Sequence, residues 1–178
     1  MPRRVPKPSP PPDASLAAPA PWGTEGPVQA EVFVVRMRGD RLELTGPCGP
    51  DAWYIESHED DDPMEIVKRF STNLMGAPLL VHSTSWRRGK GGVFLSFLVV
   101  LAEDQAADLP GVPIRRAELA RNSATEAAKD ISANQVVEHA LRHMAWLAQD
   151  DAAVKAALSP AWLAVLGGYV PEPFRHIG

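Results

Sequence analysis

Between Trp53 and Leu101 the chain changes character several times in quick succession, and few architectures accommodate that order. Trp53-Tyr54-Ile55 is aromatic and β-branched, which favours a strand. Glu56 to Asp62 is then almost entirely charged. Pro63 to Met75 places apolar residues at helical spacing, Pro78 to Trp86 is extended, and Val93 to Leu101 is the most apolar run of the protein. Strand, acidic turn, helix and two further strands predict an α/β (α+β) domain, with a mixed sheet flanked by helices.

Local signals sharpen this outline. Asp62 suits the N-cap of the helix, Pro63 its first position, and Glu65 the carboxylate of a capping box. Ile66, Val67, Phe70 and Leu74 are the expected buried stripe. Gly76 ends the helix and Pro78 prevents its resumption. Ahead of this unit, Glu31 to Met37 reads as a strand, and Gly39-Asp40 as a hairpin turn. Arg41 to Thr45 alternates strictly, pointing Leu42 and Leu44 to a core and Arg41 and Glu43 to water. Arg87 to Gly92 reads as a hairpin connection into the apolar run.

Beyond Leu101 a polar loop extends from Glu103 to Pro113, and Ile114 to Arg121 is expected to form a short helix. The strongest helix signal begins at Ser132, where Ser132 and Gln135 form a capping box and Ile131 and Val136 a hydrophobic staple. Val136, Val137, Ala140, Leu141, Met144 and Leu147 continue its buried stripe to about Gln149. Further helical segments follow over Ala152 to Leu158 and after Ser159-Pro160, the latter ended by Gly167-Gly168.

Residues 1–27 hold half of the 18 prolines, together with Arg3, Arg4 and Lys7. Proline removes backbone donors and restricts its predecessor, so this segment is expected to be a disordered tail, ahead of a single domain over 28–178. The 45% hydrophobic content suffices for a sizeable core. A formal charge of −4 and a pI near 5.7 argue against a general nucleic-acid binder. The single cysteine, Cys48, excludes an internal disulfide and lies in a Gly/Pro turn. It suits a reducing, cytoplasmic location. With no signal-peptide pattern and no apolar run of spanning length, no membrane association is expected.

Four constellations can carry chemistry. The acidic run offers hard oxygen donors, Glu56, Glu59, Asp61, Asp62 and the following Glu65, as candidate cation ligands. It lacks the glycine and terminal glutamate of a calcium loop, and a solvated turn favouring the helix N-terminus is the plainer interpretation. The basic turn, with Arg87, Arg88 and Lys90 among glycines, can grip an anion but lacks the Lys-Ser/Thr ending of a phosphate loop. A solvated hairpin tip is its plainer interpretation. Alternation along His82 to Trp86 places His82, Thr84 and Trp86 on one face, where His82 can act as acid/base and Trp86 as a stacking surface, cross-strand hydrogen bonding on an exposed face being the plainer interpretation. Finally, His139 and His143 share a helical face at the spacing of zinc-binding pairs. The glutamate of the zinc-protease motif is missing between them, which favours an exposed or hydrogen-bonded pair.

The order of elements resembles the Nudix fold. That family shows a Trp-x-Leu-Pro-Gly-Gly approach to a Gly-x5-Glu-x7-Arg-Glu-x2-Glu-Glu-x-Gly box. Trp53 and Ile55 match the approach, Arg69 the box arginine and Gly76 the closing glycine, with the likeness covering about 28–150. Glu56-Ser57-His58 replaces Pro-Gly-Gly, Phe70 stands at a box glutamate, and Asn73 and Leu74 occupy the region of the metal-binding pair. In that family these carboxylates hold Mg²⁺ for attack on a diphosphate. The resemblance therefore implies a degenerate, non-hydrolytic module that binds an anionic small molecule or a protein partner without a cofactor. Its expected binding residues are Arg69, His82, Trp86, Arg87, Arg88 and Lys90. The alternatives are a Mg²⁺-dependent phosphohydrolase using the acidic run, and a purely structural partner-binding protein.

Overall fold

Strand β1 (Val28–Arg38) is buried along nearly all its length, and the sheet is built outward from it on both sides. The computed structural model describes residues 28–47, 49, 51–58, 60–89, 92–103, 105–117 and 131–171. The expectations for the proline-rich segment, Cys48, Glu59 and Lys90 lie outside the described residues.

A turn at Gly39-Asp40, with Gly39 at φ 63°, folds β2 (Arg41–Thr45) antiparallel onto the second half of β1. Strand β3 (Trp53–Ser57) pairs antiparallel with the first half, Val32 opposite Trp53 and Val28 opposite Ser57. On the other edge β5 (Gly92–Val100) runs parallel to β1, and β4 (Leu80–Gly89) pairs antiparallel with β5. A short β6 (Gly111–Pro113), which the sequence pattern does not announce, joins β2. The order is β4-β5-β1-β2-β6, a mixed sheet as expected.

Both faces of the sheet are covered. Ala30, Val32, Val34, Phe97, Val99 and Leu101 pack against Val67 and Met75 of α1 (Pro63–Met75). Phe33, Val35, Met37, Leu98 and Val100 face α2 (Ala133–Asp150), while α3 (Ala152–Ala157) leads into α4 (Pro160–Leu166). Trp162 of α4 is fully buried and its indole Nε1 donates to the Leu101 carbonyl at 3.0 Å. No helix among the described residues is long and apolar enough to cross a membrane.

Several local expectations need correction. In α1 the buried positions are Ile66, Val67, Ser71 and Met75, whereas Leu74 is 47% exposed. The stripe is rotated because Ser71 satisfies its hydroxyl internally, donating to the Val67 carbonyl, and so fits against the sheet. Glu65 does not complete a capping box but binds Lys68 at 2.7 Å, leaving Asp62 as the cap. Glu43 is not directed to water: it accepts from the buried Arg36 at 3.0 Å and also pairs with Arg38. Arg36 in turn donates to the carbonyls of Ala106 and Leu109, which holds the polar loop against the sheet. Residues 114–117 are irregular rather than helical, and the remainder of that expected helix lies outside the described residues. At α2, by contrast, the Ser132–Gln135 capping box is formed as the sequence indicates.

Candidate functional site

The acid-rich segment is dispersed. Glu56 projects from β3 into solvent. Asp61 accepts from the His58 amide at 2.9 Å and closes the turn, and Asp62 accepts from the Met64 amide at 2.8 Å as the α1 cap. With Glu65 on Lys68, each of the last three carboxylates has a local structural partner. Among the described residues no group of three His, Cys, Asp or Glu side chains is placed to hold a metal ion. Along α1, Phe70 packs at 6.1 Å from the Trp53 ring, and Asn73 and Leu74 are exposed.

Among the candidates whose side chains are described, Arg69, His82, Trp86 and Arg87 do not line one cleft. Arg69 is exposed on α1. His82 and Arg87 lie on the α2 face of the sheet, opposite Leu98 and Phe94 on β5. Trp86, 52% exposed, stands opposite Leu95, whose side chain packs on the α1 side. The expectation that His82, Thr84 and Trp86 share a face is therefore overturned. The cause is a β-bulge between Ser83 and Ser85, which inserts one residue and reverses the alternation beyond it. Thr84, at the bulge, is buried and donates to the Ser96 carbonyl. Arg88 pairs with Val93 through its backbone, and its side chain lies outside the description.

What the bulge accomplishes is to aim Arg87 at Glu31. A row of polar residues crosses the sheet in register: Tyr54 on β3, Glu31 on β1, Ser96 on β5 and Ser85 on β4. Glu31 is only 3% exposed. Its Oε1 accepts from Arg87 Nη2 at 2.5 Å and from the Tyr54 hydroxyl at 3.1 Å, and its Oε2 accepts from Ser96 at 3.1 Å. The Arg87 guanidinium lies 4.5 Å from the Phe94 ring centroid, and Phe94 meets Tyr54 edge-on at 5.9 Å. Burial, and then the Glu31 charge, push the Tyr54 phenol above its ordinary pKa. A buried carboxylate demands such partners, because burying an uncompensated charge is strongly unfavourable.

Tyr54 and Glu31 of this row border a cavity of about 110 Å³ at the start of α2, lined also by Phe33, Arg87, Ala133 and Val136, with Asp51, Ala52 and Ile131 completing it. The rim is open to solvent, Tyr54 being 56% and Ile131 40% exposed. Arg87 contributes to the lining, while its Nε is shut off from solvent and has no hydrogen-bond partner. An unsatisfied buried donor of this kind costs about 1–3 kcal/mol. The sequence did carry a signal for Glu31 and Ser96. Each is a polar residue within an otherwise apolar strand, and alternation puts Glu31 on the same face as Phe33 and Val35. Nothing in the sequence announces the bulge except the small polar run Ser83-Thr84-Ser85.

A second constellation lies farther along β4. His82 Nε2 and His143 Nδ1 are 2.7 Å apart across the seam between β4 and α2, and His143 stacks on Trp146. Burial, then the neighbouring His143 and His139, lower the His82 pKa to about 4, and burial also lowers that of His143. The i, i+4 spacing of His139 and His143 thus serves a packed seam. His143 turns inward, only 3% exposed.

No protein-family model matches the chain, and no curated protein does. Among solved structures it is similar to a MutT/nudix family protein from Enterococcus faecalis. The TM-score is 0.55 at 10% sequence identity, over 86% of this chain and 78% of the other. At that identity the likeness is one of fold alone, and the mixed sheet between helices is a Nudix-like arrangement.

Proposed function

We propose that the domain is a non-hydrolytic Nudix-fold module that binds a small molecule bearing an anionic group, in the cavity at the start of α2. The observation that carries this reading is the Arg87 side chain, a cation still 28% exposed, in the lining of a solvent-open cavity. An anionic oxygen is the natural acceptor, since hydrogen bonds to charged groups are the strong ones. The disposition of the acidic run supports the non-hydrolytic half. Asp61 and Asp62 serve backbone amides and Glu65 serves Lys68, and the box positions of the resemblance hold Phe70, Asn73 and Leu74. Phosphoryl chemistry of the family type relies on a metal to neutralise developing charge.

The test pairs a binding and a turnover measurement. Small carboxylates and nucleoside diphosphate derivatives are titrated into the full chain with and without Mg²⁺, following thermal unfolding, and hydrolysis is assayed in parallel. The expected result is metal-independent stabilisation that is lost in Arg87→Gln, without turnover; a ligand at 100 times its Kd contributes about 2.7 kcal/mol. Mg²⁺-dependent hydrolysis abolished in Asp61→Ala and Asp62→Ala sinks the proposal in favour of a phosphohydrolase.

A further inference from the structure

Glu138 of α2 organises a second set of donors, none of which lines the cavity. Its carboxylate is fully buried and accepts from Arg142 Nε at 2.8 Å, from Arg116 Nε at 3.1 Å and from the Ala117 amide at 3.4 Å. Two guanidinium groups thus meet one carboxylate, and the cluster keeps an excess of one positive charge. Arg142 spends only its Nε there. Both of its Nη groups reach solvent and have no hydrogen-bond partner among the described residues. Arg116 is held from three sides: Nε on Glu138, Nη1 on the Gly168 carbonyl at 2.9 Å, and the guanidinium 3.8 Å from the centroid of the Tyr169 ring. Its Nη2 takes no partner among the described residues.

Tyr169 is the group that points to a ligand. The residue is only 7% exposed, yet its hydroxyl is not shut off from solvent and has no hydrogen-bond partner among the described residues. Burial holds the phenol above its ordinary pKa, so it is a proton donor at neutral pH. The charges of Arg116 and Glu138 also act on it, in opposite senses, which places the hydroxyl beside the guanidinium pair. A planar carboxylate is satisfied by a single guanidinium fork, whereas a phosphate group offers three strong acceptor oxygens in a tetrahedral array. We infer that the surface between Arg116, Arg142 and Tyr169 binds a phosphate monoester, its three terminal oxygens on these donors and its ester oxygen towards solvent.

This site goes beyond the cavity and does not depend on it. Glu138 has already oriented both arginines, so binding a phosphate orders little that is not ordered beforehand. Selectivity follows from the count of oxygens. In a substituted diphosphate each phosphorus offers only two free oxygens, which leaves one of the three donor groups unmatched.

Phenyl phosphate and inorganic phosphate, titrated calorimetrically into the full chain against acetate at matched ionic strength, test the assignment. Both phosphates are expected to bind more tightly than acetate. Tyr169→Phe keeps the ring under Arg116 and removes a hydroxyl that no described residue uses. Its unfolding without phosphate is expected to be unchanged, while phosphate affinity falls about tenfold, one charge-assisted hydrogen bond being lost. Arg142→Lys keeps the charge beside Glu138 but not the fork, and is expected to weaken phosphate severalfold. Phosphate binding is expected to persist in Arg87→Gln. Phosphates that bind no better than acetate overturn the assignment, and so does full affinity in both Tyr169→Phe and Arg142→Lys. Binding of inorganic phosphate without phenyl phosphate overturns the monoester. Loss of phosphate binding in Arg87→Gln moves the anion to the cavity, which overturns this site and leaves the cavity reading standing.

Discussion

The acidic turn and the floor of the cavity both offer carboxylates, and they use them in opposite ways. Residues 56–65 crowd acids together in sequence, yet the described ones point to a turn amide, a helix N-terminus, a lysine and open solvent. Glu31 is a single acid in an apolar strand, and the surrounding sheet supplies three donors from three different strands. Density of charge along a chain is therefore a poor guide to a site, because adjacent residues diverge around a turn. Convergence comes from strands that are distant in sequence, here across separations of 23 to 65 residues.

The largest effect that sharpens this contrast is expected at Glu31. Glu31→Ala strands the Arg87 guanidinium and removes the partner of Ser96 and Tyr54. Breaking a fully buried ion pair costs about 3–5 kcal/mol; with Arg87 still 28% exposed, about 2–3 kcal/mol is expected in urea unfolding. A loss no larger than that of a turn acid would break the comparison, since it would mean that the polar row contributes nothing beyond solvation.

Next in size is a pH effect that belongs to the closed seam rather than to the acids. Folding holds His82 neutral, its pKa dropping from 6.5 to about 4, so the unfolded chain takes up protons at a higher pH than the folded one. The stability is complete above pH 6.5 and is lost as pH falls towards 4. By pH 5, with most carboxylates still charged, this single group accounts for on the order of 2 kcal/mol. Chemical denaturation at pH 7 and pH 5 measures it, and His82→Gln is expected to flatten the dependence. An unchanged slope in that variant assigns the loss to other groups.

Within the acidic turn itself, only the cap is expected to matter. Asp62→Ala removes the acceptor of the Met64 amide and is expected to cost about 1 kcal/mol, the usual worth of an N-cap. Asp62→Asn, which keeps an acceptor oxygen, should retain most of it. If Asn proves as damaging as Ala, the charge rather than the hydrogen bond is what α1 requires at this end.

The sheet, α1 and α2 were legible because their signals are local: alternation in β2, a proline-started helix with an acidic cap, a capping box at Ser132. What was not legible depends on contacts between distant strands. The bulge at Ser83–Ser85 exchanges Trp86 for Arg87 on the α2 face, and no periodic rule foresees an extra residue. The α1 stripe was misplaced for a related reason. Leu74 is apolar but turns outward, and Ser71 is polar but turns inward, because the sheet contacts decide which side of the helix is buried. Arg87 is conspicuous in its own basic turn. Its partner Glu31 shows only as a lone acid in an apolar strand, a signal that names no partner.

The smallest effect is the most discriminating one for mechanism. Glu65 and Lys68 form a contact of 2.7 Å between exposed side chains, 65% and 49% accessible. Water solvates both ends when the pair is absent, and holding two long side chains in one geometry opposes the attraction. Glu65→Gln should therefore leave the unfolding midpoint unchanged within error. It should also leave ligand binding at the cavity unchanged, because the cavity is walled by β1, β3, β4 and the start of α2, with α1 on the opposite face of the sheet. Under a metal-dependent mechanism that recruits the acidic run, the same substitution removes a cation ligand and lowers turnover steeply while stability stays level. Equal stability with a collapse in Mg²⁺-dependent turnover would thus place the chemistry at the turn and reverse the roles assigned to the two regions.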